Sequence, residues 1–257
     1  MFSLSAALAG LRFAILLTVL APPQVAATFA SITFSTVKQC GNFTVDFAGG
    51  KAPGGPLFLT VLAINGSALS IPLPVDAWNA TTETGAAITF LPFPEGTQFI
   101  ASLDTAQGKS WATVSDVLVI EPSDSSDTSC LPSSSTFEPR YTVNGSLSQC
   151  ESFSVDFDAS KNISSPAIRA FVPRSTSYSL NETEANDASG VDSYLMSVPR
   201  DVVAVLFFKD DAGFTQTTSL IPVQGDVSSD TSCLNSNQLA NMSTLETSSS
   251  DEKVTPQ

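Results

Sequence analysis

The chain has 257 residues, 25 acidic against 11 basic, a formal net charge of −14, and no histidine. A surface this acidic repels phosphate backbones and anionic lipid, which argues against nucleic acid or a membrane surface as partner. Without histidine there is no Ser-His-Asp or Cys-His nucleophilic system, no usual zinc site, and no general base of the commonest kind near neutral pH.

The chain opens with MFSLSAALAGLRFAILLTVLAPPQVAA, in which one basic residue, Arg12, precedes an apolar run from Phe13 to Ala21 and small residues stand at Val25 and Ala27. That is the layout of a secretory signal, with cleavage expected after Ala27. The run is too short, and too closely followed by Pro22 and Pro23, to cross a bilayer as a helix. Losing Arg12 and no acid takes the net charge from −14 to −15. No later apolar stretch reaches the about 18 residues of a spanning helix. The end from Asn235 to Gln257 is polar, without the hydrophobic tail of a lipid-anchor signal. The expected location is therefore secreted, extracellular or in the cell wall, with no membrane span in the mature chain.

A frame then occurs twice. QCGNFTVDF (Gln39 to Phe47) opens one unit and SSDTSCL (Ser125 to Leu131) closes it; QCESFSVDF (Gln149 to Phe157) and SSDTSCL (Ser228 to Leu234) do the same for a second. Matched pairs in the same order and at similar separation indicate an internal duplication. In the first unit Phe43, Val45 and Phe47 alternate with polar residues, the mark of a strand with one buried face. Leu57 to Ile64, apolar on both faces, reads as a central strand. Ile71 to Val75 carries Pro72 and Pro74 and belongs at an edge. Ile88 to Leu91, Phe99 to Leu103 and Trp111 to Ile120 follow as further strands, between turn signals such as Asn65-Gly66 and Gln107-Gly108. In the second unit Phe153, Val155 and Phe157 share a face and Ala167 to Val172 matches the central strand. Val202 to Phe208, the turn Asp210-Asp211-Ala212-Gly213, and Thr215 to Val223 form a closing hairpin.

Many short strands in units of roughly 100 residues predict an all-β chain of two tandem immunoglobulin-like antiparallel β-sandwich domains. The expected layout is a signal peptide at 1–27, a first sandwich at 28–131, a linker at 132–139, a second sandwich at 140–234, and a disordered Ser/Thr-rich tail at 235–257. The linker PSSSTFEP is short and partly stiffened by proline, which suggests sandwiches placed end to end with limited freedom.

Four cysteines in an exported chain should be oxidised, and four allow three pairings. Repeat symmetry favours Cys40 with Cys130 and Cys150 with Cys233. Sequons for N-glycosylation stand at Asn42, Asn65, Asn79, Asn144, Asn162, Asn181 and Asn241. The twin segments Asp127-Thr128-Ser129 and Asp230-Thr231-Ser232 invite comparison with aspartic proteases, which use one D-T/S-G from each of two lobes. Here each Asp follows Ser-Ser, precedes a cysteine and lacks the glycine, so a polar turn leading to a disulfide is the preferred reading. Asp156 and Asp158 with Asp210-Asp211, or Asp226 with Asp230, are oxygen-rich candidates for calcium, and no metal-binding spacing supports either. Trp78, Trp111, Tyr141, Tyr178 and Tyr194 are candidates for a sugar platform, with core packing the blander role.

The combination of a signal peptide, a QC-x-x-F-x-V-x-F strand, the hairpin GTQFIASLDTAQGKSWATVSDVLVI (Gly96 to Ile120), a closing SSDTSCL and a second copy resembles secreted or single-pass extracellular proteins of mushroom-forming fungi with tandem Cys-flanked β-sandwich repeats. More loosely, the tandem is similar to the β-sandwich modules of fungal cell-wall glycoproteins. Members of that group often continue into one transmembrane helix; this sequence stops before one, which suggests a secreted form or a truncated gene model. The resemblance brings no activity and no functional residue with it. The expectation is a non-enzymatic secreted glycoprotein without catalytic residues, metal or cofactor. It would act as an extracellular or cell-wall structural or interaction module, with an extracellular protein or a glycan as partner. A carbohydrate-binding module and an acid-dependent hydrolase are the alternatives.

Overall fold

The computed structural model describes residues 29–50, 55–132, 137–161, 163–185, 189–236 and 238–239. The expected signal segment, most of the expected tail, and the sequons at Asn162 and Asn241 lie outside the described residues. The first unit holds strands β1 (Ser31–Phe34), β2 (Asn42–Ala48), β3 (Leu57–Ala63), β4 (Ala68–Pro72), β5 (Trp78–Asn79), β6 (Thr84–Phe90), β7 (Gln98–Thr105) and β8 (Leu118–Val119). They form two sheets, ordered β1-β2-β6-β5 and β4-β3-β7-β8. The second unit holds β9 (Tyr141–Asn144), β10 (Leu147–Ser148), β11 (Ser152–Phe157), β12 (Ala167–Phe171), β13 (Ser177–Ser179), β14 (Asn181–Glu184), β15 (Val191–Leu195), β16 (Val203–Lys209), β17 (Thr215–Thr217) and β18 (Ile221–Gln224). Its sheets run β9-β11-β15-β14 and β10-β18-β16-β12-β13, with β17 beside β16. Strand for strand the orders coincide, so the duplication read in the sequence is a duplication of fold.

Each unit is a two-sheet sandwich because its alternating strands have one apolar face to bury. Phe43, Val45 and Phe47 of β2 point inward, 2%, 0% and 1% exposed, onto Leu59, Val61, Phe99 and Leu103 of the facing sheet. Phe153, Val155 and Phe157 of β11 do the same onto Ile168, Ala170, Leu206 and Phe208. Among the described residues pairing is antiparallel except at the bridge of Phe29 with Ala112 and where the entering strand crosses between the sheets. There it runs parallel to the last strand, at Lys38 with Glu121 in the first unit and along β10 and β18 in the second.

The disulfides join Cys40 to Cys130 and Cys150 to Cys233, with sequence separations of 90 and 83 and Cα atoms 5.4 Å apart in both. Closing loops of that length stabilises each unit by about 4–5 kcal/mol through the entropy of the unfolded chain. The pairing favoured by repeat symmetry is the one formed.

Two predicted strands are broken. Trp111 to Ile120 is regular only at β8, because its backbone serves several partners. Trp111 N donates to Leu103 O at 2.6 Å, Ser115 N to Ala101 O at 2.8 Å, and Val114 N to Ser175 O of the other unit at 2.7 Å. Thr215 to Val223 splits into β17 and β18 around Thr218, whose N donates to Leu206 O at 3.0 Å while its Oγ1 accepts from Leu206 N at 3.0 Å. The second unit also runs past Leu234, where the tail was expected to begin. Asn235 Oδ1 accepts from Gln238 N at 3.0 Å and Gln238 Oε1 accepts from Asn235 N at 2.7 Å, a reciprocal capping box that opens a helical turn.

The units do not sit end to end. The outer face of β4-β3-β7-β8 docks on the outer face of β13-β12-β16-β18, and Leu62, Ile100, Val114, Phe171 and Val205 form a buried cluster between them. Burying each such side chain contributes about 1.5–3 kcal/mol. This second contact explains why Leu57 to Ile64 is apolar on both sides: Leu59 and Val61 face their own core and Leu62 faces the other unit. The contact is close to two-fold symmetric. The β3–β4 turn is held by the second unit, with Asn65 N donating to Thr218 O at 3.1 Å and Thr217 N to Gly66 O at 2.9 Å. The β12–β13 turn is held by the first unit, with Arg174 N donating to Val114 O at 3.1 Å and Val114 N to Ser175 O. Asn65 and Arg174 occupy the same left-handed turn conformation, at φ 57° and 61°. Equivalent surfaces meeting equivalent surfaces is the geometry of an isologous dimer, here within one chain.

Candidate functional site

Docking two curved sheets leaves a cleft of about 700 Å³ between the units, walled by β3, β4 and the Thr105–Gly108 turn on one side and by β12, β14 and the end of β16 on the other. At its floor Asp104, the single charge of β7 and on its docking face, meets Arg169 of β12. Arg169 Nη1 donates to Asp104 Oδ2 at 2.9 Å and Nη2 to Oδ1 at 3.3 Å, with the Arg169 side chain 15% and the Asp104 side chain 3% exposed. Thr60 Oγ1 and Ser102 Oγ donate to the same carboxylate at 2.8 and 3.2 Å, and Arg169 also donates to Ser177 Oγ at 2.6 Å. A carboxylate so fully engaged serves as a structural anchor between the units, and it offers no free lone pair for proton transfer.

The rim is more open. Gln107 and Lys209 are exposed, while Phe58 and Phe207 are half-buried rings on the walls. Opposite them Ser165 Oγ donates to Glu182 Oε1 at 2.9 Å and lies 2.8 Å from Tyr194 Oη, whose proton goes to Pro166 O at 2.7 Å. The cleft thus combines two aromatic surfaces with a cation, a carboxylate, an amide and hydroxyls, the mixture of apolar wall and few directed polar groups typical of ligand sites.

The residues singled out in the sequence are placed elsewhere. Asp127 and Asp230 each close an Asx turn at their own disulfide, accepting from Ser129 N and Ser232 N, both at 2.8 Å. Hydrogen bonds from Ser129 and from Ser232 hold the two carboxyls below the ordinary range. Each Asp belongs to a separate clasp, and the protease comparison has no site to rest on. Among the calcium candidates, Asp156 takes Asn144 Nδ2 at 2.5 Å, Asp158 takes Ser160 and Lys161, Asp210 takes Arg140 and Phe214 N, and Asp226 takes Ser228. Among the described residues no group of three or more Cys, Asp or Glu stands together as a metal site would require. Trp78 packs on the first core, 4.7 Å from the Phe29 ring and stacked 6.0 Å from Phe47, over the cross-strand Gly85. Tyr141 and Tyr194 are 3% and 2% exposed, and burial followed by the Asp210 charge raises the Tyr141 phenol above its usual range. These rings belong to cores rather than to an exposed row.

Two features were present in the sequence without being read. The Gln before each opening cysteine is buried and staples its clasp. Gln39 Nε2 donates to Asp127 O and Gln149 Nε2 to Asp230 O, both at 2.7 Å, while their Oε1 atoms accept from Glu95 N and Arg200 N. Its repetition was the signal. Asp104 and Arg169 each place a charge in an otherwise apolar strand, FIASLD and AIRAF, a pattern that calls for a partner.

No family model matches the chain, and no curated protein does. Among solved structures it is similar to the mixed-linkage glucan utilization locus protein SGBP-B of Bacteroides ovatus, in complex with a mixed-linkage heptasaccharide. The identity is 12%, the TM-score 0.24, and the match covers 81% of this chain and 46% of that one. The chain thus spans less than half the length of that protein, and a likeness at this level bears on neither ligand nor activity.

Proposed function

We propose that the chain is an exported, N-glycosylated, non-enzymatic interaction module of the extracellular space or cell wall, in which two disulfide-closed sandwiches act as one body and present the cleft between them to a ligand. The observation that carries this reading is the composite cleft itself. Both units contribute walls, the floor is locked by the Asp104–Arg169 pair, and the exposed rim groups Gln107 and Lys209 come from different units. Two disulfides and the lack, among the described residues, of a helix long and apolar enough to cross a membrane accord with an extracellular setting.

A second reading narrows the ligand to an oligosaccharide. It draws on Phe58 and Phe207, rings on opposing walls beside hydroxyl and amide groups, since a sugar offers an apolar C–H face and a hydroxyl edge together. The test is a glycan array and a pull-down from cell-wall extract with the glycosylated chain. The Gln107→Ala/Lys209→Ala variant serves as control, since both residues are exposed and leave the fold intact. Loss of a specific partner in the variant supports the cleft. Binding equal in both, or turnover of glycan or peptide abolished by changing Glu182, would overturn the reading.

A further inference from the structure

Most large apolar side chains left on the surface are isolated, but Ile88 and Phe90, 72% and 47% exposed, stand two residues apart on the outward face of β6. β6 pairs with β2 along its whole length, whereas β5 reaches only Thr84 and Gly85, so Ile88 and Phe90 stand on the open half of β6 with β2 as their strand neighbour. The β2–β6 register sets Ile88 opposite Thr44 and Phe90 opposite Asn42. Asn42 and Thr44 are the first and third residues of the sequon Asn42-Phe43-Thr44, and the intervening Phe43 turns into the core. Directly opposed residues of an antiparallel pair have Cβ atoms about 4.5–5.5 Å apart. The acceptor amide and the Phe90 ring therefore rise from neighbouring points on one face. The second unit repeats the juxtaposition from the other side. Leu195, which pairs with Ser152 as Phe90 pairs with Asn42, has Asn181 of the sequon Asn181-Glu182-Thr183 across from it on β14.

We propose that Asn42 carries an N-linked glycan whose first N-acetylglucosamine packs over Phe90 and Ile88, so that the chain's own sugar covers this exposed apolar pair. The chemistry fits. The C–H face of a pyranose and the N-acetyl methyl are apolar and lie well on an aromatic ring, and the hydroxyls remain outward in water. The amide link to a cross-strand neighbour supplies the proximity that would otherwise cost binding entropy. An uncovered Ile-Phe pair on a flat sheet face would instead invite self-association.

This inference rests on the export reading, and the experiment separates the two. The full chain is secreted from a eukaryotic host and sequon occupancy is measured by peptide mass spectrometry. The Asn42→Gln and Asn79→Gln variants are then compared for binding of an apolar dye and for light scattering. Expected are an occupied Asn42, a several-fold rise in dye fluorescence for Asn42→Gln but not for Asn79→Gln, and reversal of the rise by adding Phe90→Ser. Asn42 bare while other sequons are modified, or equal dye binding by both variants, overturns the inference alone. Glycosylated wild type that dimerises through this face, with Phe90→Ser making it monomeric, overturns it in favour of a second copy as the covering partner. A chain secreted with no glycan at any sequon overturns the glycosylated-export reading as well.

Discussion

Arg169→Met tests whether the units are one body. Methionine keeps an apolar stem beside the Phe171 ring, over which the guanidinium now lies at 4.5 Å, but removes both charged bonds to Asp104. Asp104, 3% exposed, would keep only Thr60 and Ser102 as donors. Stranding a buried carboxylate costs about 3–5 kcal/mol. Because Asp104 belongs to the first unit and Arg169 to the second, the loss falls on both if they unfold together. For a cooperative body of about 200 residues each kcal/mol moves Tm by about 2–4 °C, so a fall of about 6–20 °C is expected. Calorimetry should show one transition in the wild type that moves as a whole. In a double-mutant cycle with Asp104→Asn, the pair should show coupling of at least about 1 kcal/mol. Additivity within about 0.5 kcal/mol, or two wild-type transitions of which only one moves, would refute the docked arrangement.

Gln149→Ala leaves Arg200 N and Asp230 O without their side-chain partner and should cost about 1–3 kcal/mol by urea unfolding, with unchanged slope; an unshifted midpoint would contradict the staple. Gly85→Ala would put a Cβ 2.1 Å from the Phe47 ring and should destabilise by about 1–3 kcal/mol or more, with loss of the near-UV signal of Trp78 as the optical check. Asp116, Asp127, Asp158, Asp226 and Asp230 all titrate below the ordinary carboxylate range, Asp116 through the Arg174 guanidinium and the others through Ser hydrogen bonds. A carboxyl whose pKa is depressed in the folded state stabilises fully above its unfolded value, about 3.9, and loses that contribution as pH falls through the folded value. With no histidine to titrate between, Tm should be nearly level from pH 8 to about 5 and drop only in strong acid. A steep loss between pH 7 and 5 would count against these assignments.

What the sequence by itself determined is local and periodic. The alternation of Phe43, Val45 and Phe47, and of Phe153, Val155 and Phe157, dictates strands with one buried face, because side chains on a strand point alternately to its two sides. The repeated QC and SSDTSC segments indicate two equal units and favour the pairing in which each is shut by its own disulfide, because each copy then closes by itself. The absence of histidine removes whole classes of chemistry. The tertiary structure alone decided how the halves meet. Leu57 to Ile64 showed two apolar faces, yet periodicity cannot say whether the second is covered by a sheet of the same unit or of another. Asp104 and Arg169 lie 65 positions apart on different strands, and only the docked fold brings them within 2.9 Å. The cleft is likewise a property of the docking, since its walls come from both units and neither strand sequence describes the space left between them.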